Sequence, residues 1–280
     1  MTACSYAAGE ADTRKVAVIS GGSSGIGLAC ARVLLQRGHR VVLMARDPQR
    51  LSHAQAVLDP RQSGLVECLP ADVTDAEAAR QAIASVEYRH GRIDWLITSA
   101  GIVEPGLFLA LDAASHRAQM ETNYFGTLNL VRAVVPVMRG AGGRITLISS
   151  GAAFIGIVGY SGYAPGKFAV RALAEILRLE LACERITVSV AFPPDTETPQ
   201  LECEKPKRPL VTRLICEQGG VMTAECVAER IIARAQAGAF VLAPSATIML
   251  LAWFHSLYRP VLAWQQRRLL AKSLGHDTKP

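Results

Sequence analysis

Short apolar runs alternate with segments of helical spacing along most of this 280-residue chain. The runs have the length of strands buried on both faces, and the segments between them repeat apolar residues every three or four positions. This alternation predicts an α/β fold, a doubly wound parallel sheet with helices on both faces and a ligand crevice at the carboxyl ends of the strands. The predicted strands are Lys15–Ile19, Val41–Met44, Leu65–Leu69, Ile93–Ile97, Ile145–Ile148 and Ile186–Phe192. The predicted helices are Leu28–Arg37, Gln49–Leu58, Asp75–His90, Ala113–Met138 and Tyr163–Ala182.

A glycine-rich loop joins the first predicted strand to the first predicted helix. Its residues are Ser20, Gly21, Gly22, Ser23, Ser24, Gly25, Ile26 and Gly27. Glycine permits a tight turn, close approach of the backbone to a ligand and close packing of helix on strand. The amide groups and the positive dipole end of the helix then face an anion. The loop therefore predicts a binding site for a nucleotide pyrophosphate, although its spacing differs from G-x-G-x-x-G.

Arg46 follows the second predicted strand, at the position that distinguishes the two nicotinamide dinucleotides. A carboxylate there would bind the adenosine ribose hydroxyls, whereas a cation accommodates a 2′-phosphate. The neighbouring Asp47 fits an N-cap of the next helix, because Pro48 follows at its first position. We therefore expect NADPH/NADP rather than NADH.

Tyr163 and Lys167 are four residues apart and follow Ser150, which ends a predicted strand. On a helix that spacing places both side chains on one face. A nearby ammonium favours the phenolate and would lower the pKa of Tyr163 toward neutrality. Pro165 lies between the two residues, so we expect the helix to begin just before Tyr163, where proline is tolerated.

These motifs, together with four others, resemble the short-chain dehydrogenases/reductases from about Lys15 to Ala243. The others are Asp72-Val73, Ser99-Ala100-Gly101, Asn123 and the Ser20–Gly27 loop as a whole. The resemblance implies a Rossmann-type fold in which these groups bind the cofactor and a hydride passes between nicotinamide and a carbonyl carbon. It also implies that Tyr163 gives its proton to the oxygen and that Ser150 hydrogen-bonds that oxygen. Lys167 would bind the nicotinamide ribose and lower the tyrosine pKa, and Asn123 would hold a water linking Lys167 to solvent. Ser20 and Ser99 depart from the usual threonine and asparagine.

The segment after the sixth predicted strand resembles the 3-ketodihydrosphingosine reductases within that family. It contributes Pro193, Pro194, Thr196 and Thr198 as further expected cofactor-binding residues. The resemblance implies NADPH-dependent reduction of a long-chain 3-ketone to dihydrosphingosine in sphingolipid biosynthesis. Two alternatives remain open: reduction of another apolar ketone (steroid, retinoid or 3-oxoacyl), and a non-catalytic NADP-binding scaffold. The family also implies a homo-oligomer, a dimer or tetramer, formed through paired helices.

The chain from Ala239 to Trp264 is strongly apolar and is followed by Arg267, Arg268 and Lys272. Prolines and charges interrupt the run, which falls short of the roughly 20 apolar residues of a spanning helix. Aromatic residues at the headgroup level and trailing cations favour a peripheral membrane surface as partner. The other interpretation is a last core strand at Val241–Ala243 followed by a dimer or lid surface.

Composition excludes several other classes. The seven cysteines form no C-x-x-C pair and are odd in number, which predicts reduced thiols in the cytoplasm and no metal site. The net charge of +6 is spread without an aromatic-basic stripe, so nucleic acid is not expected as a partner. We expect 1–14 to be a flexible extension without a signal peptide, 15–243 the NADP-binding catalytic domain and 244–280 an apolar, then basic, membrane-associated segment.

Overall fold

The computed structural model describes residues 14–273, so all but Arg14 of the expected flexible extension lies outside the described residues. Its main sheet is parallel, with strand order β3-β2-β1-β4-β5-β6-β9. A small two-stranded parallel sheet, β7-β8, lies apart from it. The strands are β1 (Val16–Ser20), β2 (Arg40–Ala45), β3 (Val66–Pro70), β4 (Trp95–Thr98), β5 (Gly143–Ile148), β6 (Ile186–Ala191), β7 (Asp195–Glu197), β8 (Val221–Thr223) and β9 (Val241–Leu242). The predicted doubly wound parallel sheet is confirmed.

The central strand β1 shows why the predicted strands are apolar throughout. Val16 and Val18 belong to the core on one face of the sheet, and Ala17 and Ile19 belong to the core on the other. Successive side chains of a strand point to opposite faces, and helices cover both. Every residue of β1 is consequently buried.

Helices form a layer on each face of this sheet. Residues of α1, α2 and α9 contribute to one core cluster, and residues of α3, α5, α6 and α10 contribute to the other. The helices are α1 (Gly25–Gln36), α2 (Pro48–Leu58), α3 (Ala76–His90), α4 (Ala113–Met120), α5 (Gly126–Met138), α6 (Tyr163–Glu180), α7 (Pro199–Glu204), α8 (Leu210–Glu217), α9 (Ala224–Gln236) and α10 (Ala246–Ser273).

The helix predicted over Ala113–Met138 is interrupted in the structure. A π-helical turn, Glu121–Phe125, separates α4 from α5. A π-helical turn keeps the chain helical on both sides, so the sequence pattern predicts one continuous helix. Helix α6 begins at Tyr163, as predicted, and Pro165 lies in its first turn.

The C-terminal apolar segment contains both a core strand and a long helix. Strand β9 pairs with β6 at the edge of the main sheet through Val241 and Leu242. Helix α10 then runs for 28 residues with Pro260 inside it. No helix between residues 14 and 273 has the length and hydropathy needed to cross a membrane.

Candidate active site

A cavity of about 630 Å³ lies at the carboxyl ends of the central strands, where the predicted crevice was expected. Gly21 and residues 23–26 of the glycine-rich loop line it, and so do residues of helix α10. Ser150, Tyr163 and Lys167 all line the same cavity. The fold therefore brings residues that are more than 140 positions apart in the chain into one continuous space.

The glycine-rich loop has the geometry of a cradle for a phosphate group. Gly21 and Gly25 have φ values of +66° and +55°, a backbone region that favours glycine. A Cβ atom on Gly27 would lie 2.4 Å from the Gly21 carbonyl oxygen, which shows how closely the start of α1 packs on the loop. The first turn of α1 begins at Gly25, so its amides and dipole end face the cavity side of the loop. The residues present thus fit a dinucleotide pyrophosphate.

The loop is joined to the end of β4. The Ala100 amide donates to Ser20 Oγ at 3.2 Å, and the Ser99 amide donates to the Ser20 carbonyl oxygen at 3.1 Å. The serine at position 20 therefore retains a hydroxyl contact in place of the family's threonine. Ser99, Ala100 and Gly101 line the cavity, as do Asp72 and Val73.

Arg46 lies at the rim of the cavity, beyond the end of β2. Its side chain is 65% exposed, and Nη1 lies 3.9 Å from Asp72 Oδ2. Asp47 accepts hydrogen bonds from the Gln49 and Arg50 amides and caps α2, with Pro48 at the first helical position, as predicted. Asp47 is thus engaged as a helix cap, and the Arg46 guanidinium is the charged group at the end of β2 that can bind a 2′-phosphate.

Tyr163 and Lys167 lie on the first turns of α6 with the ammonium close to the phenol ring. Lys167 Nζ is 5.5 Å from the Tyr163 ring centroid and donates to the Ile148 carbonyl oxygen at 3.1 Å. Ser150 follows β5 and accepts a hydrogen bond from the Ala152 amide at 3.2 Å. The Ser149 hydroxyl donates to the Lys167 carbonyl oxygen at 2.8 Å and ties β5 to α6.

Asn123 lies in the π-helical turn, where it is buried beside Gly101 and outside the residues that line the cavity. Its side-chain amide accepts from the Ile102 amide and donates to the Ile102 carbonyl oxygen, both at 2.9 Å. A Cβ on Gly101 would lie 2.9 Å from Asn123 Oδ1 and 3.6 Å from Lys167 Nζ. Glycine at 101 thus lets the two polar side chains approach one another; the water expected at Asn123 stays a prediction.

Burial dominates the electrostatics of the pair on α6. It lowers the pKa of the Lys167 ammonium from 10.5 to about 8. It also raises the pKa of the Tyr163 phenol; the Ser150 hydroxyl offsets part of this rise, while Glu204 and Asp195 add to it. We expected Lys167 to lower the tyrosine pKa, but the net change has the opposite direction because the phenol is buried. Tyr163 is therefore protonated at neutral pH.

The segment from Pro193 to Thr198 closes over the glycine-rich loop. The Gly151 amide donates to the Pro193 carbonyl oxygen, and the Thr196 hydroxyl donates to that of Pro194. Thr198 caps α7, and its methyl group is the atom that a Cβ on Gly25 would meet, at 2.9 Å. These four residues line the cavity or border it, as their expected role in cofactor binding requires.

A buried ionic cluster beside Tyr163 was not predicted from the sequence. Arg208 Nε donates to Glu204 Oε1 at 2.8 Å, and its Nη2 donates to Asp195 Oδ1 at 2.8 Å. The Tyr160 hydroxyl donates to Glu204 Oε1 as well. We call Tyr160, Asp195, Glu204 and Arg208 the Arg208 network; all four line the cavity. Their only sequence signal was the i, i+4 spacing of Glu204 and Arg208, which usually marks an exposed helix pair.

Helix α10 forms an apolar wall of the cavity. Ile248, Leu251, Tyr258 and Leu262 line it, together with Ile155 and Ile157 of the loop between β5 and α6. Gln266 is buried, accepts from the Val158 amide at 2.8 Å and donates to the Gly156 carbonyl oxygen at 3.0 Å. The long C-terminal helix is thus part of the site and is fastened to the loop that precedes Tyr163.

Comparisons with known proteins agree with this geometry. The model of the short chain dehydrogenase family matches residues 15–208. A 3-dehydrosphinganine reductase of Danio rerio is 37% identical over 228 residues, covering 80% of this chain and 69% of the relative. A 3-ketodihydrosphingosine reductase of Dictyostelium discoideum is 32% identical over 276 residues, covering 87% and 82%. A short chain dehydrogenase structure from Burkholderia cenocepacia in complex with NADP has a TM-score of 0.75 at 25% identity, covering 90% of this chain and 97% of that one.

Proposed function

Because this chain belongs to the short-chain dehydrogenase family, we propose that it reduces the 3-ketone of 3-ketodihydrosphingosine to dihydrosphingosine with NADPH, in sphingolipid biosynthesis. The observation that carries the proposal is one cavity with two kinds of lining. Ser150, Tyr163 and Lys167 line it, and so do apolar side chains of α10. A long-chain ketone has the same division into a reactive carbonyl and an alkyl chain. The names of the Danio and Dictyostelium relatives support this substrate.

The choice of NADPH rests on Arg46. The family uses nicotinamide dinucleotides, and the glycine cradle fits the pyrophosphate that both of them share. An exposed guanidinium at the end of β2 supplies charge-assisted hydrogen bonds to a 2′-phosphate, which NADH lacks. The cofactor would therefore lie between Arg46 and Tyr163, along the loop Ser20–Gly27.

When bound, NADPH supplies the hydride that reduces the carbonyl carbon. Tyr163 donates its proton to the carbonyl oxygen as the carbon–oxygen double bond becomes single, and the Ser150 hydroxyl donates a hydrogen bond to the same oxygen. A reduction needs the phenol in its protonated form, and Tyr163 has this form at neutral pH; the burial that raises its pKa also makes it a weaker acid. Lys167 would hold the cofactor ribose and, with Asn123, return a proton to the tyrosine.

The outer face of α10 supports peripheral attachment to a membrane. Leu250, Trp253, Leu257, Val261 and Trp264, which we call the outer stripe, are all more than half exposed. Their spacing of three or four residues places them on one helix face. The basic residues Arg267, Arg268 and Lys272 follow, where anionic headgroups favour cations. Leu250 also lines the cavity, so the cavity borders the stripe, and we propose that the lipid ketone enters from the cytoplasmic face of a membrane.

Apolar residues on α6 support a homo-oligomer. Phe168, Ile176 and Leu179 are exposed on that helix, at 39%, 52% and 77%. Exposed apolar surface of this kind marks interfaces between subunits or with other partners. We propose that a second copy covers this face in a dimer or tetramer, and light scattering after gel filtration tests it: a monomer at micromolar concentration would exclude the proposal.

The activity test is NADPH consumption with 3-ketodihydrosphingosine, beside a steroid ketone, retinal and an oxoacyl ester, in detergent micelles or liposomes. We expect turnover of the sphingoid ketone and none of comparable efficiency with the others. Tyr163→Phe is the matched control, since it removes the proton donor and keeps the ring. Turnover of a non-sphingoid ketone alone would refute the proposed substrate, and full activity of Tyr163→Phe would refute the proposed mechanism.

The membrane test is flotation of the full-length protein with anionic liposomes. The triple variant Trp253→Ser, Leu257→Ser, Val261→Ser removes much of the outer stripe, and we expect it to remain at the bottom of the gradient. Phe108→Ser with Leu109→Ser is the matched control, because both residues are exposed and apolar but lie far from α10 in the chain. Equal flotation of the triple variant and the parent protein would exclude the outer stripe as the membrane contact.

A further inference from the structure

The Arg208 network has an unbalanced charge. Asp195 and Glu204 contribute two carboxylates, and Arg208 contributes one guanidinium. The Arg208 and Glu204 side chains are only 3% and 7% exposed, so water screens this charge poorly. The other cation near Tyr163, Lys167, is bound to the Ile148 carbonyl oxygen and makes no ion pair with the network among residues 14–273. The cluster therefore leaves a negative charge at the cavity wall.

One carboxylate oxygen of the network is unused. Glu204 Oε1 accepts from both Tyr160 and Arg208, whereas Oε2 accepts no hydrogen bond from any described residue. Both carboxylate oxygens of Asp195, by contrast, are engaged by Arg208. Glu204 Oε2 is not one of the described buried polar atoms that lack a partner, so it is open to the cavity, and a cationic group there would give it a charge-assisted hydrogen bond.

Tyr160 connects the Glu204 carboxylate to the reacting tyrosine, Tyr163. The rings of Tyr160 and Tyr163 are 5.4 Å apart between centroids, and Tyr160 is the residue that Glu204 accepts from. Glu204 and Asp195 also influence the pKa of the Tyr163 phenol directly, which places their charge within electrostatic range of it. A cationic group bound at Glu204 would thus share the cavity with a carbonyl held by Tyr163 and lie within electrostatic range of it.

We propose that the Arg208 network binds the ammonium group of the substrate, and that Glu204 selects 2-amino ketones over uncharged ketones. This inference rests on the proposed function, because a sphingoid 3-ketone carries its amine on the carbon beside the carbonyl. A single carbon separates the two groups, and Tyr160 of the network lies beside Tyr163. The cavity then recognises two groups of the substrate rather than one.

The test compares two substrates with two variants. The substrates are the 2-amino 3-ketone and a ketone of equal chain length without the amine, presented in the same mixed micelles. We expect the parent protein to prefer the amino ketone by about tenfold or more in kcat/KM, the order of a charge-assisted hydrogen bond. Glu204→Gln should lower the preference for the amino ketone, the ratio of the two kcat/KM values, by about tenfold. Glu202→Gln, an exposed change on the same helix, should alter neither.

The ratio of kcat/KM for the two substrates distinguishes ammonium recognition by Glu204 from a merely structural role of that residue. If Glu204→Gln lowers both activities equally, the network only holds the loop in place and the proposal is wrong. If the parent protein reduces both ketones equally well, ammonium recognition is wrong while the proposed reductase function stands. If it reduces the uncharged ketone but not the amino ketone, both proposals fail. The parent comparison needs no variant, so it decides the question even if Glu204→Gln does not fold.

Discussion

Replacing Lys167 with methionine is expected to stabilise the protein near neutral pH while removing its activity. Burial lowers the pKa of this ammonium from 10.5 to about 8. Each pKa unit corresponds to about 1.4 kcal/mol, so holding the protonated form in the folded protein costs about 3 kcal/mol at pH 7. Methionine has a similar volume and no charge to desolvate.

The hydrogen bond from Lys167 to the Ile148 carbonyl oxygen opposes this gain. The variant loses this hydrogen bond, which contributes about 1 kcal/mol of net stability. We therefore expect the free energy of unfolding of Lys167→Met to exceed that of the parent protein by about 2 kcal/mol. The gain should depend on pH. Between pH 8 and 10.5 the folded form of the parent protein has lost the proton that its unfolded form still binds, so its stability rises with pH and approaches that of the variant.

Urea unfolding followed by tryptophan fluorescence, without added NADPH, measures this difference at pH 7 and pH 10. Lys207→Met is the matched control, because that lysine is exposed. Taking the difference between variant and parent at each pH removes the contribution of the other titrating groups. A Lys167→Met protein less stable than the parent at pH 7, or a difference that does not shrink by pH 10, would refute the reasoning.

Three further outcomes are expected. Arg46→Ala should raise the KM for NADPH by about tenfold or more and leave that for NADH unchanged, because only the 2′-phosphate needs the guanidinium; initial rates with both cofactors check this. Gly27→Ala should weaken NADPH binding more than tenfold in a fluorescence titration, because its Cβ would lie 2.4 Å from the Gly21 carbonyl oxygen. Gln266→Leu should cost about 1–3 kcal/mol, because it leaves the Val158 amide and the Gly156 carbonyl without partners; an unchanged thermal midpoint would contradict this.

The sheet and the nucleotide cradle could be predicted from the sequence because both have local signals. Strands buried on both faces are apolar throughout, and β1 illustrates this with no exposed residue. The cradle needs glycine at positions where a side chain would collide. The glycines at 21, 22, 25 and 27 can therefore be recognised in the sequence itself. The N-cap at Asp47 and the start of α6 at Tyr163 followed from proline positions for the same reason.

The features that escaped prediction depend on contacts between distant residues. Arg208 binds Asp195 and Glu204 across a turn of helix and a strand, and charged residues are ordinarily solvated on such segments. The π-helical turn at Glu121–Phe125 changes hydrogen bonding rather than composition, so no pattern marks it. The net upward change in the Tyr163 pKa likewise reflects burial, which a spacing of four residues does not reveal.

Helix α10 is buried at only two of its described positions, Ile248 near its start and Gln266 near its end. These two positions are 18 residues apart, which corresponds to about 27 Å of helix, and Leu250, Leu251, Tyr258 and Leu262 of this span line the cavity. Opening this span exposes few buried side chains and breaks no strand of the main sheet. Exit of a long alkyl product can therefore proceed by local opening of α10, on a faster timescale than any unfolding of the cofactor-binding core. Amides of α10 should accordingly exchange with solvent far sooner than those of β1 and β4.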